Sequence, residues 1–325
     1  MSALPRPVLD VKNLRVALRR SGGDLPIVEG IDLAVGRGEV LGILGESGSG
    51  KTVTGSAVLR LTPASMRVSA EGIFFDGQRI DTLGDNAFRE LRGKRLAMIF
   101  QNPTASFNPA KTIGWHFRWM LRRCRHTGPW RDRAQELLSK VGISESAAML
   151  RLYPHQLSGG MLQRALIALA LSGEPAVIIA DEPTTNLDNI VEGQVIALFD
   201  TLRKVSSAAF IFITHDIRVA ATLCDRIAVM YAGEIVEEGP AATLFAAPKH
   251  PYTQGLFATA TALEHRDTVL SEIPGELPAL DARPSGCLFE PRCAHATAIC
   301  RQARPGNTLV SDEAGQRTVR CVLYT

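Results

Sequence analysis

The chain has 325 residues, 46% hydrophobic and 21% charged, with a net charge of +3. That is enough apolar material for one large domain plus a smaller one, and it excludes an intrinsically disordered chain. The mild charge excludes a dedicated nucleic-acid binder, so no nucleic-acid partner is expected.

The opening residues, MSALPRPVLDVKNLRV, lack the apolar core of a signal peptide. Short strands are predicted in PVLDVKNLRVAL, PIVEGIDLAV and EVLGILG, separated by turns at SGGD and GRG. From about residue 113 apolar residues recur at three- and four-residue spacing, in TIGWHFRWMLRRC and RDRAQELLSKVG, which predicts helices. The most apolar stretch, MLQRALIALALSGEPAVIIA, is broken by Arg164, Gly173, Glu174 and Pro175 too soon to cross a bilayer. Any link to a membrane is therefore expected to run through a partner. Strand-like runs return at AVIIAD and AAFIFITH, each followed by a helical stretch, which predicts βαβ units and a partly parallel sheet. Beyond about residue 240 prolines and loops dominate, as in AAPKHPY and SEIPGELPALDARPSG, and a domain boundary is placed there.

Three segments carry chemistry. GESGSGKT, residues 45–52, fits G-x-x-x-x-G-K-[ST] between a predicted strand and a predicted helix. Its glycines let successive N–H groups curl around phosphate oxygens, and the helix N-terminus adds its dipole. Lys51 would reach the β- and γ-phosphates and the Thr52 hydroxyl would sit on Mg²⁺. AVIIADEP is an apolar strand ending on two carboxylates, of which Asp181 suits Mg²⁺ and Glu182 suits a water attacking the γ-phosphate. Ser158, Gly159 and Gly160 precede a strongly helical run, so free N–H groups and the positive dipole end meet there, a setting for an anion. A lone SGG at such a place reads better as an ordinary serine cap with flexible glycines.

LSGGMLQR resembles the signature sequence of the ATP-binding cassette (ABC) ATPases, and the other motifs fall in that family's order over roughly residues 8–240. The resemblance implies an α/β, RecA-like P-loop nucleotide-binding domain over residues 1–240, with an antiparallel β portion and a helical subdomain at about 105–160. It makes Gln101 of MIFQNP the Q-loop glutamine, on Mg²⁺ or the attacking water, TTNLD (184–188) the D-loop, and His215 the switch histidine on the γ-phosphate. ATP contacts carry over to Gly45, Ser47, Gly48, Ser49, Gly50, Lys51, Thr52 and Thr54. Two such domains pair head to tail, so Ser158, Gly159 and Gly160 of one subunit cover ATP held by the other. The family usually stacks an aromatic on adenine; the matching stretch LRVALRR offers Leu18. Asn186 stands in the D-loop where a small apolar residue is usual.

The single cassette excludes tandem translation factors, and the short interval between Gln101 and Leu157 leaves no room for the heptad insertion of a chromosome or repair ATPase. YAGEIVEEG, KHPYTQGL, IPGELP and GCLFEPRCAHATAIC resemble the ATPase subunits of oligopeptide, dipeptide and nickel importers, with a loop-rich extension over 241–325. This implies an ATPase on the cytoplasmic face of the inner membrane. Its implied partners are a second, possibly non-identical ATPase subunit, two permease subunits and, indirectly, an extracytoplasmic solute-binding protein. Peptides are the implied cargo; nickel chelates, opines or sugars are the alternative.

The extension holds Cys287, Cys293, Cys300 and Cys321, spaced C-x5-C-x6-C-x20-C. A cytosolic address disfavours disulfides, and structural zinc usually takes paired C-x2–4-C knuckles. Four thiolates at irregular spacing suit an iron–sulfur cluster, and the pattern resembles the cluster-binding tail of peptide-importer ATPases. One [4Fe–4S] cluster with a structural role is expected. Cys124 and Cys224 read as ordinary buried thiols.

Overall fold

The computed structural model describes residues 6–185, 187–264 and 273–324. Contacts divide the chain into two compact units. One comprises Met1–Val8, Gly36–Glu39 and Thr82–Ile211; the other comprises Leu9–Val35, Val40–Asp81 and Phe212–Thr325.

The second unit begins with β1 (Leu9–Leu18) and β2 (Leu25–Val35), an antiparallel pair joined by the SGGD turn. Leu9, Val11, Leu14 and Val16 of β1 are buried, with Val28, Ile31, Leu33 and Val35 of β2, a period-2 alternation that slips by one residue in each strand where the pairing register shifts. Then comes β3 (Val40–Leu44), buried at every position and followed by α1 (Lys51–Val58). β4 (Met66–Ser69), β5 (Gly72–Phe75) and β6 (Gln78–Arg79) complete an antiparallel sheet in the order β2-β1-β5-β6, with β4 on β1.

The first unit runs through α2 (Asp85–Leu91) and β7 (Leu96–Ile99) into a helical region. There α3 (Pro103–Ser106), α4 (Ile113–Arg123), α5 (Trp130–Lys140), α6 (Ser146–Met149) and α7 (Gly159–Ala170) follow in turn. The Thr112 hydroxyl accepts the Trp115 N–H and starts α4; Ile113, Phe117 and Leu121 form its buried stripe. β8 (Val177–Asp181), wholly buried, lies parallel to β7. α8 (Asn189–Val205), capped by the Asp188 carboxylate, leads to β9 (Ala209–Thr214), which neighbours β8 and along which the chain passes into the second unit.

There α9 (Ile217–Leu223), β10 (Arg226–Tyr231), β11 (Glu234–Pro240), α10 (Ala241–Ala246) and α11 (Pro251–Glu264) are followed by α12 (Ala298–Gln302), β12 (Thr308–Asp312) and β13 (Gly315–Val319). These strands and β3 lie in the order β12-β13-β11-β10-β3, with β10 parallel to β3 and the others antiparallel. A hairpin therefore stands in a tail whose sequence reads as loops. It is fixed by Arg317, fully buried, which donates to the carbonyls of Thr243 (3.2 Å) and Ala247 and pairs with Asp312 at 2.7 Å. Glu29 and Glu234 likewise hold Arg283, Arg304 and Arg320, joining the tail to β2 and β11.

Candidate functional site

GESGSGKT wraps the N-terminus of α1 immediately after the buried strand β3. Gly45 has φ +152, and a Cβ there would stand 2.1 Å from the Met230 carbonyl oxygen, so only glycine lets the loop leave β3 so close to β10. Ser47, Gly48 and Thr52 face outward, whereas Ser49 and Lys51 are buried. Lys51 Nζ donates to the carbonyls of Gly45 (2.7 Å) and Glu46 (2.9 Å), which holds the cation across the loop's own opening. The Thr54 hydroxyl returns to the Gly50 carbonyl at 3.0 Å and secures the first turn of α1.

In the first unit the parallel register sets Ile99 beside Ala180. Two residues further on, Gln101 and Glu182 are level, and Gln101 Nε2 donates to Glu182 Oε2 at 2.9 Å. Two predicted site residues, 81 positions apart in sequence, thus meet at the ends of adjacent strands. Thr185 also donates its hydroxyl to Glu182 Oε2, at 3.0 Å. Glu182 has φ +43, left-handed backbone that costs a non-glycine residue about 1 kcal/mol or more. Asp181 is buried as the last residue of β8. Asn186 lies outside the described residues.

Ser158 caps α7, its hydroxyl accepting the Met161 N–H at 3.3 Å. It is thus a serine cap, with Gly159 and Gly160 forming the first turn. A Cβ on Gly160 would stand 2.6 Å from Val191 Cγ1 of α8, so this glycine also sets how closely α7 approaches α8. His215 is exposed just after β9, and the following Asp216 caps α9. Leu18 ends β1, half-buried, opposite Leu25 on one side and Met66 on the other. The tail approaches the P-loop at Gly48, where a Cβ would lie 3.4 Å from Leu277 Cδ2.

Cys287, Cys293, Cys300 and Cys321 line one cavity, together with His250, Phe289 and His295. The turn Glu290–Arg292 presents Cys293, α12 presents Cys300, and Cys321 follows β13. Cys287 N–H donates to the Cys300 carbonyl at 2.7 Å, bracing the two cysteine-bearing segments. Burial, with the neighbouring thiols adding to it, pushes Cys287 up to about 11 and raises Cys293 and Cys321. Among the described residues no group of three or more His, Cys, Asp or Glu side chains is placed to hold a metal ion, these four cysteines included. Of the two outlying cysteines Cys224 is buried, while Cys124 is half-buried against the Gly93 carbonyl.

Sequence reasoning missed two contacts. Thr185 lies inside the quoted TTNLD but has no role until the turn folds back on Glu182. Tyr252, inside KHPYTQGL, accepts the N–H of Glu46 at 2.9 Å; a long-range pairing of that kind leaves no periodic trace in the sequence.

A P-loop that follows a buried strand, an antiparallel sheet in the same unit and a helical region in the other unit are the components of an ATP-binding cassette. Solved structures agree. The chain superposes on the dimeric, post-hydrolysis cassette MJ0796 bound to ADP and Pi with a TM-score of 0.64 at 26% identity, over 72% of this chain and 98% of that one. It superposes on cbiO1 from Clostridium perfringens, part of the transporter complex cbiONQ, with 0.61 at 27%, over 74% and 91%. Residues 28–185 match the ABC transporter family, and residues 236–300 match the oligopeptide/dipeptide transporter C-terminal region. The dipeptide transport ATP-binding protein DppD of Haemophilus influenzae is 43% identical over 97% of this chain and 94% of its own length. DppD of Escherichia coli is 40% identical over 94% of each. A putative peptide import ATP-binding protein of Brucella melitensis is 40% identical over 97% of each. The chain belongs to the ATP-binding subunits of ABC transporters and is an ATPase.

Proposed function

We propose that this ATPase powers peptide import through a binding-protein-dependent ABC transporter. The observation that carries the reading is that similarity to dipeptide and peptide import ATP-binding proteins runs nearly end to end, through the C-terminal region as well as the cassette. In the reaction Lys51 binds the β- and γ-phosphates and His215 the γ-phosphate. Glu182, oriented by Gln101 and Thr185, accepts a proton from the attacking water. Thr52, Asp181 and Gln101 would hold Mg²⁺, the oxygen donors this cation takes, and its charge would offset that developing on the phosphates. Ser158, Gly159 and Gly160 serve the ATP of a second ATPase subunit, and the dimeric cassette MJ0796 supports that pairing.

The docking surface for permease subunits is an apolar groove lined by Phe100, Trp115, Trp119 and Met120, beginning one residue before Gln101. Trp115 and Trp119 are exposed there, and aromatic side chains of this kind anchor protein interfaces. Among the described residues no helix is long and apolar enough to cross a membrane. Similarity to import ATP-binding proteins supports a subunit held on the cytoplasmic face of the inner membrane by its permeases.

Cys287, Cys293, Cys300 and Cys321 would hold a [4Fe–4S] cluster. The donor set supports the reading: four thiols line one cavity, and four cysteines are the ligand set an iron–sulfur cluster takes. When bound it would supply positive charge to four thiolates that would otherwise repel one another, and these residues would be cross-linked through it.

Deleting the gene should abolish uptake of labelled di- and oligopeptides by the cell, and a plasmid copy should restore it. Intact peptide uptake together with lost uptake of a nickel chelate, an opine or a sugar would move the cargo to that class.

A further inference from the structure

The second residue of the P-loop is a glutamate, so this loop brings a negative charge to the place where a polyphosphate is to bind. Its side chain is not left to solvent. Arg292 Nη1 donates to Glu46 Oε2 at 2.9 Å, and the Arg292 side chain is only 6% exposed. The rest of that guanidinium is spent on the tail. Nε donates to the Pro274 carbonyl at 2.9 Å, Nη2 to the Ile273 carbonyl at 3.3 Å, and the guanidinium carbon lies 5.7 Å from the centre of the Tyr231 ring. On the backbone side, Tyr252, buried against Tyr231 and Phe289, accepts the Glu46 N–H at 2.9 Å. Glu46 is therefore held at both ends by residues of the C-terminal segment, while its carbonyl receives Lys51 Nζ.

We infer that Arg292 and Tyr252 are positioning residues for ATP: Arg292 neutralises and turns aside the Glu46 carboxylate, and Tyr252 fixes the loop backbone from which Lys51 is presented. The inference rests on GESGSGKT being the phosphate-binding loop. Freed from Arg292, the carboxylate would swing beside Ser47 and Gly48, the exposed part of the loop, and repel the incoming phosphates. Arginine suits the task because one planar fork reaches a carboxylate and two carbonyls together, which a lysine ammonium does not reproduce.

The test is a double-mutant cycle on the full chain, reading Kd for MgATP by calorimetry and KM and kcat for ATP in the complex with its permeases. Arg292→Gln should raise Kd and KM about fivefold with kcat little changed. Glu46→Gln alone should stay within about twofold of the parent, and adding it to Arg292→Gln should return Kd to that level. Tyr252→Phe should raise Kd about twofold to threefold whether or not Glu46 is a glutamine, because its bond is to the backbone. Metal content is measured in each variant, since Arg292 adjoins Cys293; the rise in Kd is expected at the parent's metal content. If Arg292→Gln does not fold, Arg292→Lys replaces it in the same cycle, with a smaller rise that Glu46→Gln again removes. A rise that persists in the double variant, or no rise in any Arg292 variant, overturns the inference while leaving the nucleotide site standing. A parent chain that binds no ATP overturns both.

Discussion

At the scale of single residues, the pairing of Gln101 with Glu182 is the most informative contact in the molecule. Each side chain was legible in the sequence from its motif, and parallel β7 and β8 make them level. What the sequence could not convey is that Thr185 also donates to the same Glu182 oxygen, so that one carboxylate oxygen carries two donors. Glu182 adopts left-handed backbone, strain of the kind that persists where the surroundings over-determine a functional side chain. Glu182→Gln tests the role directly. Its amide oxygen can accept both donors, so the local structure should survive, but it cannot take a proton from water. ATP binding should be retained, and turnover in the transporter complex should fall by about two orders of magnitude or more. Near-normal turnover with the change in every competent site would remove Glu182 from the chemistry.

At the scale of elements, hydrophobic periodicity located the strands that begin the chain, the buried strands β8 and β9, and helices α4 and α5. It did not locate the hairpin of β12 and β13, because the buried face of β13 is Arg317 and Val319, of which only one is apolar, and Arg317 is held there by its pairing with Asp312. The start of α4 shows another hidden device. His116 Nδ1 donates to the Thr112 carbonyl at 2.8 Å, and Nε2 accepts the Asn108 N–H at 2.9 Å, so both ring nitrogens are used by a neutral imidazole. Burial lowers its pKa. The folded chain therefore resists a proton that the unfolded chain takes up near pH 6.5, and the stability contributed by this residue is complete above that pH. It declines as the pH falls below 6.5 and stops declining once the folded form is protonated too. The added slope is at most one proton's worth, about 1.4 kcal/mol per pH unit. Unfolding midpoints measured from pH 7.5 to pH 5 should fall more steeply for the parent than for His116→Gln. Parallel curves would show that His116 is not held neutral.

At the scale of the whole molecule, the texture of the sequence changes near residue 240, yet contacts group everything from Phe212 onward with the P-loop and the antiparallel sheet. The reason lies in long-range polar contacts: Glu29, Glu46 and Glu234 each receive an arginine from the tail. Such contacts are set by tertiary structure and leave no local pattern to read. The four cysteines stand in the same segment, and Cys293 is bonded in sequence to Arg292, which holds Glu46. A cluster at this place would stiffen residues 273–324, where the buried hydrophobic anchors other than cysteine are Leu288, Phe289 and Val319. Anaerobically purified protein should be brown and carry about four iron atoms per chain. Cys293→Ser should lose that iron and make residues 273–324 more susceptible to proteolysis, since the cavity would then be lined by three thiols with no shared cation. Because β3 and α1 are built without the tail, the variant should still bind MgATP, with weaker affinity to the extent that Arg292 loses its hold on Glu46. Stoichiometric zinc in place of iron in that preparation would refute the cluster and assign the same four thiols to a zinc staple.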